Sequence, residues 1–203
     1  FDIRPVTGRL FGGILKLNGT ITASPGNAQY QTQFTLSRMN LPLALRALED
    51  RTLKSGTLDL TGNYHTKGRS AADLVSHLNG SGSFSFNGVD ISSGTKRGSA
   101  FSSISILLSS LNKFAGVIGG KGGSEKAKLH GLFQIVNGIA KFKNTNLTSG
   151  IGSGSAKGIV DFPNWRLNAT GTLNLSQNIL MQTLMEDSGP KTIPFSISGC
   201  LLY

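Results

Sequence analysis

Gly82-Ser83-Phe84-Ser85-Phe86-Asn87-Gly88 decides how this chain reads: large apolar side chains at alternate positions, small polar ones between them, a glycine at each end. Period two is the signature of a β-strand, because successive side chains point to opposite faces of a sheet. The pattern recurs outward in both directions. Thr57-Leu58-Asp59-Leu60-Thr61-Gly62-Asn63-Tyr64 sets Leu58, Leu60 and Tyr64 on one side. Gln31-Thr32-Gln33-Phe34-Thr35-Leu36, Arg166-Leu167-Asn168-Ala169-Thr170-Gly171, Thr172-Leu173-Asn174-Leu175 and Pro194-Phe195-Ser196-Ile197-Ser198 repeat it. The second face carries mostly Ser, Thr, Asn and Gln, as in antiparallel strands with one wet side.

Punctuation supports the same class. Asn18-Gly19, Asn79-Gly80, Asn87-Gly88 and Asn137-Gly138 are Asn-Gly pairs, whose tolerance of positive φ suits tight hairpins. Four of them predict a β-meander with strands of about 8–12 residues.

Short helices are expected between the strands. Leu41 to Leu48 is the first, with Pro42 at an early, tolerated position. Ser70 to Leu78 is the second, with Ser70 as N-cap and Asp73 three residues on. Phe101, Ile104, Leu107, Leu108 and Leu111 follow three/four spacing, continued by Ala115 and Ile118, and predict a third, amphipathic helix with a serine-rich back. Gln177 to Met185 is a fourth candidate. The expected fold class is therefore mainly β: a curved antiparallel sheet of long strands, open or taco-like, with three or four short amphipathic helices in one domain spanning 1–203.

Composition fits this class. The 203 residues include 27 Gly, and only 15% are charged, against about 25% in ordinary globular chains. The net charge of +10 favours anionic partners in general. The basic residues are scattered, with Lys121, Lys126 and Lys128 the densest group, so a dedicated nucleic-acid arm is not indicated. One cysteine, Cys200, rules out an intrachain disulfide. No apolar stretch reaches the ~18 residues a spanning helix needs. The start at Phe1 and the apolar end at Leu201-Leu202-Tyr203 suggest a piece of a longer protein, with any anchor upstream.

Catalytic constellations are not found. His77 follows Asp73 by four residues and reads as an exposed helix pair; His65 and His130 have no ligand at zinc spacing. Gly150-Ile151-Gly152-Ser153-Gly154 lies between strands and reads as a turn rather than a nucleophile elbow. Gly116-Val117-Ile118-Gly119-Gly120-Lys121-Gly122 lacks the Lys-Ser/Thr ending of a phosphate loop and follows a helix. Asp90 and Asp161 each close an alternating run and read as strand-end acids. No enzyme and no cofactor is expected.

Leu78 to Ile91, with its Leu-Asn-Gly-Ser-Gly-Ser-Phe opening and Asn-Gly-Val-Asp-Ile close, resembles a segment of the C-terminal region of the AsmA family. Leu132 to Ala140, Leu147-Thr148-Ser149, Gly158 to Phe162 and Ile193 to Gly199 resemble further elements of that region, in the family's order. Gly12-Gly13 and Asn18-Gly19 fit more loosely. The group includes TamB- and YhdP-like proteins of the Gram-negative envelope. The resemblance implies anchoring upstream in the inner membrane and placement on its periplasmic side. It implies a non-enzymatic module whose apolar β-groove contacts lipid, in phospholipid transport or outer-membrane biogenesis. Phospholipid or another anionic envelope lipid is the expected partner, with no nucleic acid. The groove-facing candidates are Leu58, Leu60, Phe84, Phe86, Phe133, Ile135, Leu167, Leu173, Phe195 and Ile197. The alternative is a scaffold that assists outer-membrane protein assembly, with helices covering the apolar face.

Overall fold

The computed structural model describes residues 2–24, 27–47, 53–91, 126–149, 152–175 and 192–200. Among the described residues, ten strands run in chain order: β1 (Asp2–Leu10), β2 (Gly13–Ser24), β3 (Asn27–Asn40), β4 (Leu53–Gly68), β5 (Asn79–Ile91), β6 (Ala127–Val136), β7 (Ile139–Ser149), β8 (Gly152–Asp161), β9 (Arg166–Leu175) and β10 (Thr192–Cys200). They form one open antiparallel sheet in which every strand pairs with its sequence neighbours. Sequential antiparallel pairing is the meander expected from the Asn-Gly pairs. Several strands exceed the expected length; β4 has 16 residues.

Two short helices accompany the sheet, α1 (Leu41–Arg46) and α2 (Ala71–Ser76). This corrects the expectation of three or four: among the described residues there are two. The third candidate, with Phe101, Ile104, Leu107, Leu108 and Leu111, and the fourth lie outside the described residues. So does Lys121.

Helix α1 starts where Asn40 Oδ1 accepts the Leu43 backbone N–H at 2.9 Å, satisfying an amide that a helix start leaves orphaned. It buries Leu41, Pro42, Ala44 and Leu45. Leu41 and Leu45 join Leu53 and Val89, with Met39, Leu58, Phe86 and Ala127 packed around them. Each such side chain contributes roughly 1.5–3 kcal/mol. The helix therefore covers one end of the apolar face over β3–β6. At the opposite end, α2 packs against β4. Ser70 Oγ accepts the Asp73 N–H at 3.1 Å, and Asp73 Oδ2 accepts the Arg69 N–H at 3.3 Å. The Arg69 amide and then the Ser70 hydroxyl hold the Asp73 carboxyl below its ordinary 3.8. The capping pair thus forms as read, with the carboxylate reaching one residue further back.

The Asn-Gly pairs need a correction. Asn137-Gly138 is a hairpin turn, with φ 49 and 76, joining β6 to β7. Gly138 N–H donates to Leu78 O at 2.8 Å, and Phe162 N–H donates to Gly138 O at 3.1 Å, tying three strand ends together. The other three pairs sit inside strands. Asn18-Gly19 lies within β2 and Asn79-Gly80 opens β5. Gly88, at φ 65, marks the register shift between Phe86 and Val89. A turn missed in the sequence is Phe11-Gly12, at φ 45 and 77, between β1 and β2.

Register shifts gather toward the α1 end at Arg38 (φ 55), Gly56 (φ 143) and Gly88, and another falls at the middle of β7, at Asn144 (φ 53). Bulges bend a strand and sharpen its twist. Asp59 fastens this region, accepting from the Arg38 N–H at 2.8 Å and from Asn87 Nδ2 at 3.1 Å.

Candidate functional site: an aromatic lane on a glycine floor

Strand register assigns the faces. One row across the sheet is Phe34, Gly62, Gly82, Phe133, Phe142, Gly158 and Ala169. A second is Leu58, Phe86, Leu129, Leu147, Gly154, Leu173 and Ile193. A third is Thr32, Tyr64, Gly80, Ile135, Ala140, Val160 and Leu167. None of the three rows contains a charged side chain. Of the groove-facing candidates, Leu58, Leu60, Phe84, Phe86, Phe133, Ile135, Leu167, Leu173 and Phe195 fall on this face, buried or half-buried. Ile197 pairs by backbone with Ala169; its side chain lies outside the described residues.

Aromatic rings form a connected lane on the face. Phe34 stacks on Tyr64 at 5.0 Å, and Tyr64 on Phe133 at 6.4 Å. Phe133 lies 6.5 Å from Phe84, which meets Phe86 edge-on at 5.8 Å and Phe142 edge-on at 6.5 Å. Phe84 and Phe142 stand on strands separated by β6, a spacing of about 10 Å, and Phe84 leans over the strand between, onto Gly131.

Glycines make that lean possible. A Cβ on Gly131 would sit 2.6 Å from Phe84 Cζ and 2.7 Å from Thr145 Oγ1. A Cβ on Gly82 would meet first the Thr61 carbonyl and then Phe133 Cζ at 2.6 Å, and one on Gly158 first the Asn168 carbonyl and then Phe142 Cζ at 2.6 Å. Gly80 stands in the same relation to Tyr64, and Gly171 to Phe195. Each ring lies flat over a neighbouring strand's glycine, an arrangement known to offset the weakness of glycine in strands. Glycine inside a strand is the sequence signal for close approach. Reading it that way, rather than as turn punctuation, would have found the floor. Phe142 and the buried Leu129 and Leu147 were also missed, although Ala140-Lys141-Phe142-Lys143 alternates plainly.

Beside the rings on the same face, Leu129, Leu147 and Leu173 cluster with Phe84, Phe86, Ala127 and Ile193 around them. Leu173 is 1% exposed. Thr145, also 1% exposed, holds a hydroxyl with no hydrogen-bond partner. Burial pushes the Tyr64 phenol up to about 12, because the half-covered ring disfavours the phenolate.

The polar groups weighed as chemistry stay apart. His65 and His130 are exposed on the other face, and His77 caps α2 with Nδ1 2.9 Å from Asp73 O. Asp161 closes the β8–β9 turn, accepting from the Asn164 N–H at 3.1 Å and from Asn164 Nδ2 at 2.9 Å. Among the described residues, no group of acids, histidines and cysteines could hold a metal ion, and no helix is long and apolar enough to cross a membrane. No family model, curated protein or solved structure matches this chain.

Proposed function

We propose that this chain is a lipid-contacting module of the cell envelope, non-enzymatic, whose apolar sheet face curves into a groove for acyl chains. The aromatic lane from Phe34 to Phe142 carries the reading. It is long and uncharged, with α1 packed over one end of the face. A sheet face of this kind is either covered or used. A dozen methylenes laid along it would contribute on the order of 10 kcal/mol gross, at ~0.8 per buried CH₂ and before ordering costs. The resemblance of Leu78 to Gly199 to the AsmA family points the same way. It also supplies the periplasmic placement, the upstream inner-membrane anchor and the roles in phospholipid transport or outer-membrane biogenesis. A second reading, a scaffold for outer-membrane protein assembly, draws on α1, which already covers one end of the same face.

Two consecutive residues on opposite faces provide the test. Phe133 is in the lane, whereas Leu132 is 63% exposed on the polar face. Phe133→Glu should abolish crosslinking to a photoreactive phospholipid, and Leu132→Glu should leave it unchanged. Equal crosslinking by both variants and the parent would remove the lane from the account.

A further inference from the structure

The polar face carries its own feature, separate from the lane. Lys141 and Lys143 on β7 project beside Lys157 on β8, all three exposed. The register explains why they converge. Phe142 pairs with Gly158 and Thr145 with Ala156, so Lys143 and Asn144 together oppose Lys157 alone. Asn144 takes the left-handed conformation, φ 53, that this bulge requires. Bulges re-aim side chains and are over-represented beside functional sites. Lys143 faces Lys157 by plain continuation of that register, and the bulge adds the Asn144 amide to the same surface.

The lysines border two adjoining depressions. One, of about 350 Å³, is lined by Lys141, Lys143 and Lys157 together with Asn168, Thr170 and Ser196. The other, of about 600 Å³, shares Lys157, Thr170 and Ser196 and extends past Asn144. Both are shallow and largely open to solvent, so they suit a group held at the surface. Among the described residues, no ion pair engages any of these lysines, and Asp161 on the same face spends both oxygens on Asn164. Cations two apart on a strand stand about 7 Å from each other, a repulsion that a bound anion would relieve.

We propose that this cleft is a binding site for a phosphate carried on a hydroxyl-rich group: the lysines take the phosphate, and Asn168, Thr170 and Ser196 take the hydroxyls. A phosphate brings close to two negative charges and several acceptor oxygens, matching three ammonium groups. The amide and hydroxyl side chains along β9 and β10 offer both donors and acceptors for a polyol. Such a group can be a lipid's headgroup or a free sugar phosphate. The site does not depend on the lane's function.

Amide chemical shifts of the 203-residue chain, titrated with glucose 6-phosphate, inorganic phosphate and glucose, read the site directly. Glucose 6-phosphate should perturb β7–β10, inorganic phosphate should bind more weakly, and glucose should not bind detectably. Lys143→Gln with Lys157→Gln should weaken glucose 6-phosphate by about tenfold or more, the loss expected for two charge-assisted contacts. Lys67→Gln, elsewhere on the polar face, should have no effect. Thr170→Val keeps the charge and should weaken glucose 6-phosphate more than inorganic phosphate. Flotation with phosphatidylglycerol or phosphatidylcholine vesicles separates the sources. Retention on the former alone, abolished by the double lysine change, assigns a lipid headgroup. Binding of the soluble sugar phosphate without such retention assigns a free ligand. The proposal is overturned if neither binds at β7–β10, or if Lys67→Gln weakens binding as much as the double change.

Discussion

Gly131→Ala places the ring-over-glycine packing under direct strain. The added methyl would lie 2.6 and 3.0 Å from Phe84 Cζ and Cε1 and 2.7 Å from Thr145 Oγ1, all inside contact distance. Thr145 is buried, and its backbone is held in the β7 ladder, so the ring must give way. Phe84 touches three other rings, at 5.8, 6.5 and 6.5 Å. Aromatic pairs contribute about 0.5–1.5 kcal/mol each, and overpacking a filled site typically costs 1–3 kcal/mol. Losing part of each contact gives a destabilisation of about 2 kcal/mol, or a fall in Tm of about 4–8 °C for a chain of this size. A double-mutant cycle isolates the cause. Phe84→Leu removes the ring the methyl strikes and leaves only the Thr145 contact, so in that background Gly131→Ala should cost about 1 kcal/mol, a coupling of about 1 kcal/mol. Urea unfolding followed by circular dichroism supplies all four values. Additive effects, with coupling near zero, would refute the claim that the glycine exists to seat the ring.

Two further outcomes follow from single groups. Thr145 buries a hydroxyl without a partner; Thr145→Val keeps the shape and removes that cost, and should stabilise the chain by about 1 kcal/mol in urea unfolding, whereas a loss of similar size would mean the hydroxyl is satisfied. Burial raises the Tyr64 phenol from 10.0 to about 12, so the folded chain keeps its proton where the unfolded chain releases it, and stability should fall as pH rises from 10 toward 12; Tyr64→Phe should flatten that slope, and phenolate absorbance showing Tyr64 titrating at its ordinary value would sink the claim.

The fold was legible in the sequence because a sheet with one wet face writes its geometry into alternation. Leu58, Leu60, Phe84 and Phe86 take their faces from parity alone, and the register of β4 with β5 confirms it. The Ser70 cap was equally legible, since it is a local hydrogen bond between residues three apart. What alternation does not encode is which glycine turns the chain and which lies beneath a ring. Asn18-Gly19 and Asn137-Gly138 look alike in sequence. The first is held extended between β1 and β3, while the second is bordered by β6 and β7 and takes positive φ. That distinction is set by partners many residues away. The bulge at Asn144 was hidden for a similar reason. A single extra residue in Phe142-Lys143-Asn144-Thr145 shifts parity without disturbing composition, yet it is what sets Asn144 beside Lys143 opposite Lys157.

The claim that the aromatic lane handles lipid is tested most directly by mass spectrometry of organic extracts of the purified, folded chain. The account predicts co-purified phospholipid in stoichiometric amount, lost on Phe133→Glu. A folded chain that carries no lipid would contradict it and leave the scaffold reading in its place.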